Sequence, residues 1–342
     1  MAGKIFGIDF GTSTLKIYKK NDGVIFDAKN IIAVANGNQV IAIGDDAYEM
    51  YGKSPANIIV DYPVKNGVIA DIANMLSLLN QAFDKLSREH GKITGSEFLV
   101  AAPTDITEVE KRAFFDLVAS SNAKAKKIRI VEKPIADALG AGLDVMNAQG
   151  VMIVDVGADT TEVSVISLGG IVLSKLITVG GNKMDESIIL NVKKTYNLII
   201  GQKTAEIIKK ELGCALPPKV EKTIKVYGRD VLSGLPVERE ISSAFVYEAI
   251  AEYMHSIVDA VRIILEKTPP EISADIIDSG VYLTGGSANI YALDQLMAQE
   301  TELDINICED PANTVVKGIG RIIENNKLSS LALTLKQTYY GG

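Results

Sequence analysis

The chain has no tryptophan, only two cysteines and two histidines among 342 residues, and no uninterrupted apolar run of 18. Each shortage removes a class of function. Cys214 and Cys308 stand far apart with no second Cys or His at metal-ligand spacing, so both read as buried thiols rather than as zinc ligands or a disulfide. His90 and His255 are isolated and read as surface or packing residues. A membrane-spanning helix needs about 20 consecutive apolar residues. None is present, and the start MAGKIFGIDF enters a strand within a few residues, leaving no room for a signal peptide. A cytoplasmic protein is therefore expected. The formal net charge of −8 sets a duplex against net repulsion, so no nucleic-acid partner is expected, and NAKAKKIR (122–129) reads as a solvated loop. The P-loop pattern G-x-x-x-x-G-K-[ST] is missing as well.

What the chain does have is 47% hydrophobic residues, enough for a sizeable core divided between two lobes. Short β-rich and helical stretches alternate, which predicts an α/β fold with mixed sheets flanked by helices. GKIFGIDFG, TLKIYKK and GVIFDA read as successive strands, and residues 72–90 read as an amphipathic helix ending before Gly91. A second helix follows over TEVEKRAFFDLVASSN, with Thr107 and Glu110 at capping-box spacing. Within it, Phe114 and Phe115 are open to core, interface or one of each. Later come helices over 182–212, strands near 222–239, a long helix over about 242–266, the strand GVYLTGG, and a helix beginning near Ser287.

One pattern occurs twice. Asp9-Phe10-Gly11-Thr12-Ser13-Thr14 and Asp155-Val156-Gly157-Ala158-Asp159-Thr160 both read D-x-G-x-x-T, each between two apolar strands. Two hairpins of one design imply two related lobes facing each other across a cleft. A carboxylate at a strand end can hold Mg²⁺ through water, while the glycine lets the backbone bend and aim N–H groups at phosphate. The hydroxyls of Thr12, Ser13, Thr14 and Thr160 add donors. A third element, VYLTGGSANI, lets a base or phosphate approach the backbone at Gly285 and Gly286, where a helix N-terminus is expected.

In this order and at these separations the pieces resemble the actin, sugar-kinase and heat-shock-chaperone superfamily, most closely its bacterial actin branch, MreB, over nearly the whole chain. GKSPANIIVDYPVKNGVIAD, EKPIADALGAGLDV, VGGNKMDESI and LTGGSANI carry that resemblance beside the two turns. It implies an actin-like ATPase fold of four subdomains around a nucleotide cleft. They run 1–32, 66–145 and 325–342; 33–65; 146–181 and 256–324; and 182–255. It implies ATP and Mg²⁺ as cofactors, with Asp9 and Asp155 on the metal side. Gly11, Thr12, Ser13, Thr14, Gly157, Ala158, Asp159 and Thr160 would take the phosphates. Gly285, Gly286, Ser287 and Ala288 match the adenosine motif, and Glu206 and Lys209 lie on the helix that lines ribose and base.

Two residues depart from the family pattern. The second turn usually reads D-I-G-G-G-T-T-E, and here Ala158 and Asp159 replace the last two glycines. A like-charge contact at about 5 Å and an effective dielectric near 20 costs roughly 3 kcal/mol, enough to oppose a triphosphate. The family also carries Glu-Glu-Pro where this chain has Glu132-Lys133-Pro134, so Lys133 occupies the catalytic position. An ammonium cannot accept a proton from water. Lys133, Glu132, Asp159 and Thr160 are thus the residues on which hydrolysis turns, with Lys133 and Asp159 read as a coupled charge exchange that keeps ATP binding and slows cleavage. Asn182 in GGNKMD stands where an Asp is commoner.

The resemblance further implies head-to-tail protofilaments, paired and antiparallel, that support cell shape. Partners would be further copies, related actin-like paralogues and the membrane surface. The C-terminal LSSLALTLKQTYYGG offers an apolar face for a membrane or for packing on the first lobe. An ATP-binding scaffold without hydrolysis and a small-molecule kinase are the competing readings.

Overall fold

A computed structural model gives the fold and describes residues 4–334. The chain forms two compact units, one of residues 1–148, 166–171 and 313–342, the other of residues 149–165 and 172–312.

The first unit is built on a five-stranded sheet in the order Lys127–Glu132, Glu97–Ala102, Ile5–Phe10, Thr14–Lys19, Gly23–Lys29. Its first three strands run parallel and the last two complete an antiparallel meander. Phe6, Ile8, Phe83, Phe98, Phe114 and Phe115 bury themselves in its core. Both phenylalanines of the helix Glu108–Ala119 are therefore core residues. That helix starts on the expected capping box: Thr107 Oγ1 accepts from Glu110 N at 3.2 Å, and the Glu110 carboxylate accepts from Thr107 N at 2.8 Å. The helix Ile72–His90 is capped by Asp71 and stops at Gly91, whose φ of 73° suits glycine.

Helices Lys133–Gly140 and Thr314–Glu324 cross at two glycines. A Cβ on Gly140 would lie 1.7 Å from the Thr314 carbonyl oxygen, and one on Gly318 would lie 1.6 Å from that of Ala136. Only hydrogen fits there. Leu333 pairs with Ile130 through two 2.8 Å backbone bonds, so the start of the C-terminal segment packs on this unit. The remainder of that segment, 335–342, lies outside the described residues.

The second unit repeats the plan. Its sheet runs Gly170–Ile177, Thr161–Ser167, Val151–Val156, Val281–Thr284, Ile305–Ile307, the same order reversed along the list. Val151–Val156, Val281–Thr284 and Ile305–Ile307 are parallel. The two D-x-G-x-x-T turns therefore join equivalent strands of two equivalent sheets. Each unit also carries a three-stranded sheet, of Gln39–Ile43, Ile32–Ala35 and Ile58–Asp61 in one and Leu198–Ile199, Thr223–Asp230 and Pro236–Ser242 in the other.

Two local expectations need correction. The α-helix after Gly285-Gly286 does not begin near Ser287: residues Gly286–Asn289 form a single 3₁₀ turn, and the helix starts at Leu293. Gly285 at φ 83° and Ala292 at φ 61° break the path on either side, so Ser287 offers no long-helix N-terminus. Cys214 is buried as expected, but Cys308 is only half-buried, because it follows the short edge strand Ile305–Ile307; both are free thiols.

Candidate functional site

In open α/β sheets ligands sit beyond the carboxyl ends of parallel strands. In the first unit, the turn after Asp9 and the Glu132-Lys133 junction both lie at that edge, at the ends of Ile5–Phe10 and Lys127–Glu132. Asp9 is 8% exposed. Asn30, fully buried, holds the turn from behind: its Nδ2 donates to Gly11 O at 2.8 Å and its N–H to Ser13 O at 2.9 Å. Lys29 Nζ reaches Ser13 Oγ at 3.4 Å. Thr12, Ser13 and Thr14 are half-buried. Across the ladder from Asp9 stands Lys16, only 5% exposed, which shares its face of the sheet.

Lys133 is the first residue of its helix, and Glu132, at the strand end before it, pairs with Lys111 of Glu108–Ala119 at 3.8 Å. A cation at a helix N-terminus meets the positive end of the dipole, where a carboxylate would be favoured.

The second unit draws most of its sequence-predicted residues together. Gly157 N donates to Thr160 O at 2.8 Å, closing the turn. Gly157 O accepts twice, from Ser287 Oγ at 2.9 Å and from Gly181 N at 3.1 Å. This carbonyl is equivalent to that of Gly11, so both turns are tied at the same atom by different groups. Gly285 packs so closely that a Cβ there would lie 2.3 Å from Asp155 Oδ1. Ala288 is buried beneath, while the Cα of Gly286 faces open space.

Lys209 belongs to this cluster and is no solvated-face lysine. Its side chain is 10% exposed, and its ammonium pairs with Asp185 at 2.8 Å and donates to Gly181 O at 2.7 Å. A Cβ on Gly181 would meet both Ser287 Oγ and Lys209 Nζ within 3 Å. Glu206, one turn earlier, is partly exposed and bound by Lys210. Burial pushes the Asp185 carboxyl up to about 6, against the lowering effect of Lys209.

Asp159 has a defined partner in its own unit: Asn182 Nδ2 donates to its Oδ1 at 2.7 Å, and Asn182 N donates to Ala158 O at 2.7 Å. Lys133 lies in the other unit.

Reading residues by motif missed Lys16, Asn30, Glu162 and Asp185. A signal existed for two of them. Lys16 and Glu162 each follow the aspartate of their turn by seven positions, and both are buried, at 5% and 3% exposure. The first turn thus sets a buried cation seven positions after its aspartate, whereas the second has a buried acid, Glu162, at the corresponding place.

That asymmetry bears on the expected cofactors. Among the described residues no three His, Cys, Asp or Glu side chains converge as an all-protein metal site. Mg²⁺ bound with a nucleotide takes most ligands from water and phosphate and needs only one or two carboxylates, so the donor set fits it. The open face at Gly286 beside buried Ala288 fits a flat apolar base. Among the described residues no helix is long and apolar enough to cross a membrane.

The sequence profile described as MreB/Mbl protein matches residues 3–330. The cell shape-determining protein Mbl of Bacillus subtilis (strain 168) is 38% identical over 326 residues, covering 95% of this chain and 97% of that one. MreB5 of Spiroplasma citri bound to ADP superimposes with a TM-score of 0.89 at 34% identity, covering 95% of this chain and 98% of that one. Its AMPPNP complex matches equally well, at 0.89 and 33%, over 96% and 98% of the two chains. The MamK double helical filament shares the fold, with a TM-score of 0.78 at 21% identity, covering 94% and 99%.

Proposed function

Because the chain belongs to the MreB/Mbl family, we propose that it is an ATP-binding, actin-like cytoskeletal protein that assembles into filaments supporting cell shape or related cell mechanics. The observation that carries this reading is the doubled turn: two D-x-G-x-x-T hairpins on equivalent sheets, each glycine carbonyl fixed from behind. Such bracing holds the tips in a phosphate-ready shape before any ligand arrives, which lowers the ordering penalty of binding. Nucleotide is bound by the relative MreB5.

In this reading Asp9 and Asp155 serve Mg²⁺ through water. Residues 11–14 and 157–160 take the phosphates, Gly285 to Ala288 take the base, and Glu206 and Lys209 take the ribose. Mg²⁺ would neutralise phosphate charge. Hydrolysis is weak or slow: Lys133 supplies no base, and Glu132 is turned to Lys111. That same observation favours, as the second reading, a scaffold for which ATP is only a structural ligand. The filament works in the cytoplasm, with contact to the membrane surface and to actin-like paralogues as further expectations.

Light scattering and electron microscopy with ATP, ADP and AMPPNP, read beside phosphate release, test the proposal. Filaments with slow phosphate release support it. Filaments without any release select the scaffold, and nucleotide-independent behaviour with phosphate transfer to a sugar overturns it. Lys133→Glu is expected to raise phosphate release; no gain removes Lys133 as the cause of slow hydrolysis.

A further inference from the structure

Two helices of the second unit meet at one lysine, and a buried acid decides where its ammonium stands. Lys209 belongs to the helix Gln202–Leu212 and Asp185 to the helix Gly181–Tyr196. A lysine ammonium is a compact charge on a flexible four-carbon stem, free to swing unless something fixes it. Here Asp185, 2% exposed, pairs with it at 2.8 Å, and Gly181 O accepts from it at 2.7 Å.

Gly181 passes that hold on to the second D-x-G-x-x-T turn. Its N–H donates to Gly157 O at 3.1 Å, and the next amide, Asn182 N, donates to Ala158 O at 2.7 Å. The turn therefore rests on the helix start that Lys209 pins. No side chain fits at 181, because a Cβ would lie 2.8 Å from Ser287 Oγ and 2.9 Å from Lys209 Nζ.

Stability alone gives the pair little to do. Burial raises the Asp185 carboxyl to about 6 in spite of Lys209; Glu206 adds to the rise and Lys210 opposes it. Lost solvation thus outweighs the attraction of the cations, and an ionised pair of this kind adds little to stability at neutral pH. Its consequence is positional: it removes the rotamer freedom of Lys209.

Resting on the nucleotide reading above, we propose that Asp185 is a positioning residue of the nucleotide site, which holds Lys209 on Gly181 O and so couples the ribose side to the phosphate turn. With Lys209 in place, Gly181 and Asn182 brace the turn before a ligand arrives, and phosphate binds without the penalty of ordering it. Without Asp185 the ammonium swings off Gly181 O, and phosphate must order the turn itself. The loss falls on the phosphate part of the nucleotide, although Asp185 and Lys209 both lie outside the turn.

The test uses the full chain as wild type, Asp185→Ala, Asp185→Asn, Lys209→Met and the double variant Asp185→Ala with Lys209→Met. Each protein is melted without nucleotide and then studied below its own transition. Fluorescent ADP with Mg²⁺ reports the affinity for ADP, and its displacement by adenosine reports that for the nucleoside. Asp185→Ala should weaken ADP at least about tenfold and adenosine clearly less, and adding Lys209→Met should cost little more than either change alone. Asp185→Asn keeps an acceptor oxygen for Lys209 and should recover part of the loss. Equal weakening of ADP and adenosine in Asp185→Ala would overturn the proposal, since the pair would then act on the ribose alone. Lowered melting temperatures with unchanged affinities, or an asparagine no better than alanine, would overturn it too, and all three results leave nucleotide binding standing. A wild type that binds no ADP would instead sink the nucleotide reading and this inference with it.

Discussion

Lys209 and Asp185 form a 2.8 Å ion pair with both side chains nearly sealed from solvent, at 10% and 2% exposure. The pair clamps the helix Gln202–Leu212 to the first turn of Gly181–Tyr196, the turn that also donates to Gly157 O and Ala158 O. The second D-x-G-x-x-T turn, the residue Ser287 and the proposed ribose helix are thus joined through Gly181.

Asp185 gives this clamp a pH signature. Its carboxyl is raised from 3.8 to about 6, chiefly by burial. A raised acid holds its proton better in the folded state, so its contribution is full below about pH 4 and is lost as the pH climbs to about 6, by about 3 kcal/mol. Urea unfolding of wild type and Asp185→Asn across pH 4 to 7 should show the wild-type advantage shrinking over that window. A difference that grows with pH would contradict the assignment.

Asn30 should matter more than a surface asparagine. Its side-chain amide is the donor to Gly11 O at 2.8 Å, and the residue is fully buried. Asn30→Ala leaves that carbonyl short of a donor and is expected to destabilise by about 2 kcal/mol. Nucleotide affinity should fall as well if the first turn binds phosphate. Thermal melts with and without ADP separate the two effects.

The helix crossing at Gly140 and Gly318 leaves no space for a methyl group. Gly318→Ala would press a Cβ into the Ala136 carbonyl, which is backbone and cannot swing aside. A loss of more than about 3 kcal/mol is expected, seen as poor soluble yield or a sharply lowered melting temperature. An unchanged melt would mean that the two helices separate easily.

Thr107→Ala removes one half of the capping box on Glu108–Ala119. The expected cost is about 1 kcal/mol, with no direct effect on nucleotide affinity because the change is local to the helix start. Urea unfolding checks the first statement and ADP titration the second.

The helix Ile72–His90 was readable from apolar spacing and its Gly91 stop, and the capping box of the next helix from two residues three apart. The duplication was readable from D-x-G-x-x-T alone, because each copy sits between apolar strands. The path after Gly285 was not. A positive φ at Ala292 splits what periodicity joins, and an L-residue adopts that conformation only when its surroundings impose it.

By itself the sequence determined the family, the two-fold plan and the identity of both turns, since these depend on residue types at short, fixed spacing. Only the tertiary structure decided what holds each turn: Asn30 reaches Gly11 across 19 positions, Asn182 reaches Asp159 across 23, and Ser287 reaches Gly157 across 130. Those partners depend on how strands and helices stack rather than on any local pattern. Asp159 shows the difference most plainly: the motif shows only an acid where the family pattern has a glycine, and folding supplies the Asn182 amide as its donor.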